Sequence, residues 1–362
     1  ITGIIENKQN VAERKAFAGF AAELRDDLND SISDAEIIEM LAQHLVTRPV
    51  FDALFSGHSF VNENPMSKAM QGVLEVLEKH HIAEADTLKS FYESVQLRAR
   101  GIDSAEGRQK IVVELYDKFF RNAFPKMTER LGIVYTPVEV VDFIIHSVNH
   151  LLQKEFGQTL GSKGVHILDP FAVTGTFITR LLQSGLISPK ELPYKYKHEI
   201  HANEIVLLAY YIAAINIEAT YHDIVGGEYQ PFEGICLTDT FQLYEKEDLI
   251  SRILVDNSAR RVRQKKLDIR VILGNPPYSV GQKDDNDDSA NVKYEHLDES
   301  IRRTYVGKST GNPRSLYDSY IRAIRWASDR IGASGVIGYV TNAGFIDGKA
   351  ADAAPPAGFV FQ

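Results

Sequence analysis

The chain has 362 residues, 44% hydrophobic and 25% charged, with one cysteine and a formal net charge of −9. Length and composition fit one large globular domain plus a smaller one. Nothing approaches the roughly 18 uninterrupted apolar residues of a membrane span, and the start lacks the basic, apolar and small-residue segments of a signal peptide, so a cytoplasmic, membrane-free protein is expected. A lone Cys236 excludes a disulfide framework and an all-cysteine metal site, and no metal is expected. The acidic balance leaves any nucleic-acid contact to a local patch.

The first residue is Ile1, and Ala350 to Gln362 is a Pro-containing stretch with no element pattern, so the sequence reads as a piece of a longer polypeptide. Residues 1–130 read as helices. Ser33 and Glu36 have capping-box spacing, and Ile37, Ile38, Leu41 and Leu45 follow at helical intervals. A second helical stripe runs through Val112, Leu115, Phe119 and Phe120 and stops at Pro125. No catalytic pattern appears here, and a helical spacer or docking domain is expected.

Residues 131–362 alternate short apolar strands with helical patterns, the mark of a parallel sheet with crossover helices. The predicted strands are Val165 to Leu168, Glu199 to Ala202, Gly234 to Leu237, Ile269 to Leu273 and Gly335 to Val340. Helices are predicted over Val138 to Leu152, Phe177 to Ser184, Ile205 to Thr220 and Ser315 to Ile331. In Tyr135-Thr136-Pro137-Val138-Glu139, Thr136 is expected to cap the first of these, with Glu139 reaching back.

Three strand ends carry binding chemistry. Asp169-Pro170-Phe171-Ala172-Val173-Thr174-Gly175 is a small-residue turn that brings backbone N–H groups and a helix start to the edge of the sheet, where a nucleoside or amino acid would sit. Glu204, at the end of the second strand, suits ribose hydroxyls. Its distance from Asp169 exceeds the usual spacing of about 20 residues and fits an insertion over Ile187 to Lys197. Asp239 suits an adenine amino group, with Phe241 packing on the ring. An acid at a strand end is as often a helix cap, so the weight rests on all three recurring in order.

The fourth strand runs into Asn275-Pro276-Pro277-Tyr278. An exocyclic amino nitrogen is a poor nucleophile because its lone pair is delocalised into the ring. The Asn275 side-chain oxygen and the Pro276 carbonyl can hold its two hydrogens and aim the nitrogen at an electrophilic methyl. Pro277 stiffens the turn, and Tyr278 offers a stacking face to an extruded base, worth roughly 1–3 kcal/mol. Methylation at cytosine carbon 5 needs a cysteine nucleophile. Cys236 sits within a predicted strand without a Pro-Cys pair and reads as a buried apolar residue.

This order of motifs resembles the gamma-class DNA amino-methyltransferases, and with the helical region ahead of it is similar to the methyltransferase region of Type ISP single-polypeptide restriction-modification enzymes. The resemblance implies an α/β fold: the Rossmann-like sheet of class I S-adenosylmethionine methyltransferases, C-terminally incomplete, preceded by an α-helical domain. Residues 1–130 would be a helical coupler and residues 131–362 the catalytic domain, with its last strands and target-recognition domain further on. The implied activity is methylation of adenine N6 in DNA, where an initial Asn rather than Ser favours adenine over cytosine N4. Carried onto this chain, Tyr135, Thr136 and Pro137 would line the methionine end of the cofactor. Asp169, Pro170, Phe171, Ala172, Thr174 and Gly175 would hold its amino-acid part, Glu204 the ribose, and Asp239 with Phe241 the adenine.

The family usually has glycine where Val173 stands, so weaker cofactor binding is expected, as is inactivity of this stretch by itself. Partners implied are double-stranded DNA with a flipped adenine, and nuclease, translocase and recognition domains of a larger polypeptide. Release-factor glutamine methyltransferases carry the same Asn-Pro-Pro-Tyr on this fold, so protein-glutamine methylation is one alternative and a non-catalytic docking fragment another.

Arg302, Arg303, Lys308 and Arg314 follow the catalytic element, where a duplex would approach, and are the candidate DNA contacts. The basic run Arg260 to Lys266 is open between a solvated helix end and phosphate contact. Gly307-Lys308-Ser309-Thr310 lacks the earlier glycine of a phosphate loop, since Arg302 stands there. His198 and His201 are one residue short of zinc-protease spacing, and the acidic loop Asp284 to Asp288 lacks an EF-hand's glycine.

Overall fold

The computed structural model describes residues 1–54, 63–80, 92–94, 97, 136–245, 251–277, 293–306 and 317–341. Within the first part lie helices α1 (Thr2–Glu6), α2 (Val11–Asp27), α3 (Asp34–Leu54) and α4 (Pro65–Leu77). Phe17, Phe20, Ala21 and Leu24 recur at the three- and four-residue intervals of one helical face, and all are buried where α2 packs on α4. The capping box at the start of α3 is formed as expected: Glu36 N–H donates to Ser33 Oγ (3.3 Å) and Ser33 N–H to Glu36 Oε2 (2.8 Å). The helical stripe expected over Ile111 to Phe124 lies outside the described residues.

Five parallel strands follow: β1 (His166–Asp169), β2 (Ile200–Glu204), β3 (Ile235–Leu237), β4 (Ile269–Gly274) and β5 (Val336–Tyr339), in the order β3-β2-β1-β4-β5. Every predicted strand is present within a residue or two. Helices cover both faces, so the inner strands read as unbroken apolar runs. On β1, Ile167 faces one core and Leu168 the other; on β4, Val271 and Leu273 share the first while Ile272 joins the second. The first core is continuous with that of the helical region, so Phe20 and Leu24 belong to the same apolar mass as Ile167.

Helix α5 (Val138–Phe156) precedes β1, α6 (Thr176–Gln183) and α7 (Leu192–His198) lie between β1 and β2, and α8 (Leu207–Val225) follows β2. Then come α9 (Val255–Lys265) before β4, and α10 (Glu295–Ile301) and α11 (Ser319–Arg330) before β5. The extra stretch before β2 is largely α7. Its Lys195 is buried against Glu199 Oε2 (2.8 Å) and the Ser162 carbonyl (3.2 Å). His201 lies in β2 with Nε2 3.0 Å from His166 Nδ1, and no metal-ligand cluster exists among the described residues.

One expectation is corrected. Pro137, not Thr136, is the N-cap of α5, with φ −54° and ψ 136°, and no side chain caps it. The Thr136 hydroxyl is instead turned toward the sheet, where Asn275 uses it.

Candidate active site and cofactor cleft

The strand order reverses between β1 and β4, and ligands of open α/β sheets bind beyond the carboxyl ends of the strands at such a point. Asp169 ends β1 there, and Asn275 follows β4. The two strands meet closely because position 274 is glycine: a Cβ on Gly274 would lie 2.8 Å from Asp169 Oδ1. Asn275 Nδ2 donates to Thr136 Oγ1 at 3.0 Å. With Nδ2 used on that bond, Oδ1 is the acceptor end of the amide. Pro276 is buried and Pro277 exposed. Tyr278 and Tyr135 lie outside the described residues, as do Lys308, Arg314 and the Asp284 to Asp288 loop.

Asp169 is buried, with Oδ1 accepting from Phe171 N–H (3.1 Å) and Oδ2 without a hydrogen-bond partner. Burial pushes its carboxyl up to about 8, assisted by the neighbouring Glu204. Across the turn, Val173 N–H donates to Glu204 Oε2 (2.8 Å), while Ile205 and Val206 N–H donate to Oε1 (3.0 and 2.8 Å). Burial raises Glu204 to about 7 against those three bonds. Glu204 therefore ties the turn to the start of α8, the helix-cap alternative for such an acid, with its carboxylate at the cleft edge.

Val173 is the one described non-glycine residue with positive φ, at 48°. The family's usual glycine thus coincides with a backbone conformation that favours glycine. Gly175, at φ 79°, starts α6; a Cβ there would lie 3.2 Å from Ala213 Cα and carbonyl oxygen on α8. Pro170 and Ala172 are held by backbone: the Pro170 carbonyl accepts from Thr240 Oγ1 (2.6 Å), and Ala172 N–H donates to the Asn203 carbonyl (2.9 Å). The Thr174 carbonyl accepts from Asn216 Nδ2 at 3.0 Å.

Past β3, Asp239 is buried, and burial raises its carboxyl above the usual range. Its Oδ1 takes Phe241 and Gln242 N–H (2.9 and 3.3 Å); its Oδ2 takes the Tyr294 hydroxyl (3.0 Å) and Asn29 Nδ2 (3.3 Å). Phe241 lies between the rings of Phe171 (5.5 Å) and Tyr294 (5.3 Å). Tyr294 and Asn29 were missed in the sequence. Neither belongs to a motif, and their distance from position 239 hides the pairing.

Cys236 is buried, and burial pushes its thiol up to about 11, which suits packing and not nucleophilic attack. The basic run is neither solvated nor poised for phosphate in its key member. Arg261 is buried in an ion pair with Asp27, and Arg260 reaches the Phe232 and Ile235 carbonyls (3.3 Å each). Arg302 is exposed but bidentate on Glu299 (2.7 Å to each oxygen), and Arg303 lies 3.9 Å from the same carboxylate. The described structure gives neither arginine a bond to the cleft residues.

Residues 1–107 match the model of the Type ISP restriction-modification enzyme coupler domain, and residues 107–305 that of N-6 DNA methylases. No curated protein matches. Among solved structures, a nuclease-deletion mutant of the Type ISP enzyme LlaGI, in complex with a DNA substrate mimic, is 49% identical with a TM-score of 0.89 over 95% of this chain and 28% of its own. The ATP-dependent Type ISP enzyme LlaBIII bound to DNA is 52% identical, TM-score 0.89, over 96% of this chain and 24% of its own. A DrdV–DNA complex is 37% identical, TM-score 0.86, over 96% and 34%. The chain thus spans about a quarter to a third of the length of those proteins. No described helix is long and apolar enough to cross a membrane. With a matching coupler ahead of a matching methylase sheet, the chain belongs to the N-6 DNA methylase family, in the arrangement of the Type ISP restriction-modification enzymes.

Proposed function

We propose that the protein methylates adenine N6 in duplex DNA with S-adenosylmethionine as donor, as the modification part of a restriction-modification enzyme. The observation that carries this is the Asn275 carboxamide, locked by Thr136 beside the buried Asp169 whose Oδ2 lacks a partner. An unsatisfied buried carboxylate oxygen costs about 1–3 kcal/mol, and a cationic ligand group relieves it. The residues therefore fit the cofactor: Asp169 and the turn to Gly175 would hold its amino-acid part, Glu204 the ribose, and Asp239 with Phe241 the adenine. The cofactor supplies a methyl group on a sulfonium. The chain's own task is positioning. Asn275 Oδ1 and the Pro276 carbonyl accept the two amino hydrogens, which turns the nitrogen lone pair out of conjugation, and Tyr278 stacks on an adenine flipped from the duplex. No cysteine step is required.

DNA as substrate and a place in a larger polypeptide are supported by the DNA-bound LlaGI, LlaBIII and DrdV structures and by their length; nuclease, translocase and recognition domains as partners are part of the proposal. The test is tritiated S-adenosylmethionine given to the full-length polypeptide that carries this chain, with duplex DNA and, separately, with a release factor. Label in N6-methyladenine is expected; label in a glutamine side chain, or none in DNA beside an active relative, overturns the reading.

A further inference from the structure

Asp239 has all its acceptor capacity in use. An ionised carboxylate offers about four lone-pair sites, and four donors occupy them: two backbone N–H groups, the Tyr294 hydroxyl and the Asn29 amide. An adenine amino group can bond Asp239 only by exchange with one of the four. Phe241 and Gln242 N–H are built into the tight turn after β3 and leave only if it unfolds. Tyr294 is held from two sides: its ring packs edge-on against Phe241 and lies under the Arg322 guanidinium (5.3 Å to the centroid), which is itself anchored bidentately on Asp298 (2.8 and 2.9 Å).

Asn29 is different. It lies in the turn between α2 and α3, its bond to Asp239 is one of the two longest at 3.3 Å, and rotation of its side chain is enough to break it. Its Oδ1 organises that turn by accepting from Ser31 N–H (3.2 Å) and Ser31 Oγ (2.5 Å). The turn belongs to the residues that match the coupler domain.

We propose that the Asn29 carboxamide and the adenine amino group of the cofactor compete for Oδ2 of Asp239, so that loading the cofactor releases the coupler turn 28–32. Reciprocally, holding that turn closed weakens the cofactor by the same factor, since coupling between two binding events is symmetric. The proposal rests on Asp239 being the adenine acceptor. Occupancy of the methylation site is thereby signalled to the helical region through one hydrogen bond.

Two ligands separate the possibilities: S-adenosylhomocysteine, and S-inosylhomocysteine, in which a 6-oxo group replaces the amino donor. In calorimetric titrations of the protein, Asn29→Ala is expected to tighten the adenosyl ligand about fivefold, the scale of one ordinary net hydrogen bond, and to leave the inosyl ligand unchanged. An equal change for both, or weaker adenosyl binding, overturns the proposal and makes Asn29 a structural or orienting residue. Wild-type protein that binds both ligands equally removes Asp239 as the adenine acceptor, and the proposal with it. Binding of neither defeats the cofactor reading itself. A second measurement needs no variant: in hydrogen exchange on the wild type, adenosyl ligand should speed exchange of the Ser31 amide several-fold. Unchanged or slower exchange there refutes the release.

Discussion

Replacing Val173 by glycine tests whether the turn between β1 and α6 carries strain at the cofactor cleft. Val173 sits at φ 48°, where its Cβ crowds the following carbonyl. A non-glycine residue held in this region costs about 1–3 kcal/mol, and a β-branched one is the least suited. Glycine removes that cost but gives the unfolded chain more freedom, an offset of about 0.4–1 kcal/mol. The half-buried side chain also loses some contact. The hydrogen bond from N–H 173 to Glu204 survives, since it is backbone.

Val173→Gly should therefore stabilise the protein by about 1 kcal/mol, a rise of roughly 2 °C in melting temperature for a chain of this size. Because backbone free of a Cβ approaches a ligand more closely, S-adenosylhomocysteine should bind about threefold tighter. Val173→Ala keeps the Cβ at the same φ and should recover less than half of either gain. Thermal melting with and without ligand, followed by calorimetric titration, gives both quantities. A melting temperature lowered by Val173→Gly, or an alanine variant that matches the glycine one, refutes the strain account.

Three further outcomes follow from the site. In the ligand-free protein Asp169 holds its proton up to about pH 8 against 3.8 for the ordinary group, so its contribution to stability is complete below about pH 4 and is lost as pH rises through about 8. Asp169→Asn should flatten the fall in melting temperature toward pH 8, and should abolish the accompanying rise in affinity for S-adenosylhomocysteine, whose ammonium prefers the ionised carboxylate. Thr136→Val removes the acceptor of the Asn275 amide; in the full-length polypeptide that carries this chain, kcat for DNA methylation should fall about tenfold, the worth of one hydrogen bond, with cofactor affinity unchanged. A higher cofactor Kd with kcat intact would instead make Thr136 a cofactor ligand. Cys236→Ala should retain methyl transfer within about twofold and lower stability by about 1 kcal/mol, as for a small buried apolar residue; loss of turnover without loss of stability would contradict its packing role.

The sheet was legible because each parallel strand is a short apolar run, and four of the five lead into a candidate site motif: Ile167 and Leu168 lead into Asp169, and Val271 to Leu273 lead into Asn275. The glycine missing at 173 was visible too, and its backbone consequence is now explicit. What local pattern does not carry is pairing across the chain. Thr136 matched a helix cap by spacing, yet its hydroxyl goes to a partner 139 residues away. The run around Arg261 looked like any charged helix end, because nothing nearby in sequence announces Asp27. A faint signal existed: Glu23 and Asp27 are four apart on α2 and so share one face.

That face explains why the coupling proposed at Asn29 is confined to one bond. Glu23 accepts from the N–H groups of Arg252, Ile253 and Leu254 (2.7–2.9 Å) at the start of α9. Asp27 accepts from Asn257, Ser258 and Arg261 on the same helix. From α9, Gln264 donates to Asn203 on β2 (2.8 Å), Asn203 to Thr240 (3.2 Å), and Thr240 to the Pro170 carbonyl. Breaking a buried charged contact such as Asp27–Arg261 costs about 3–5 kcal/mol, because it strands a charge. Ordinary cofactor binding cannot spare that much to move one element, so α2 and α9 travel together with the sheet. Among the described residues, Asn29 is the one residue of the helical region bonded to a candidate cofactor acid, and that bond is long, carried by an uncharged donor and tied to a turn; the comparable Asn64 bond (3.2 Å) ends on Tyr210 of α8. A signal from the cleft to the helical region therefore leaves through residues 28–32 while the rest of the interface stays closed.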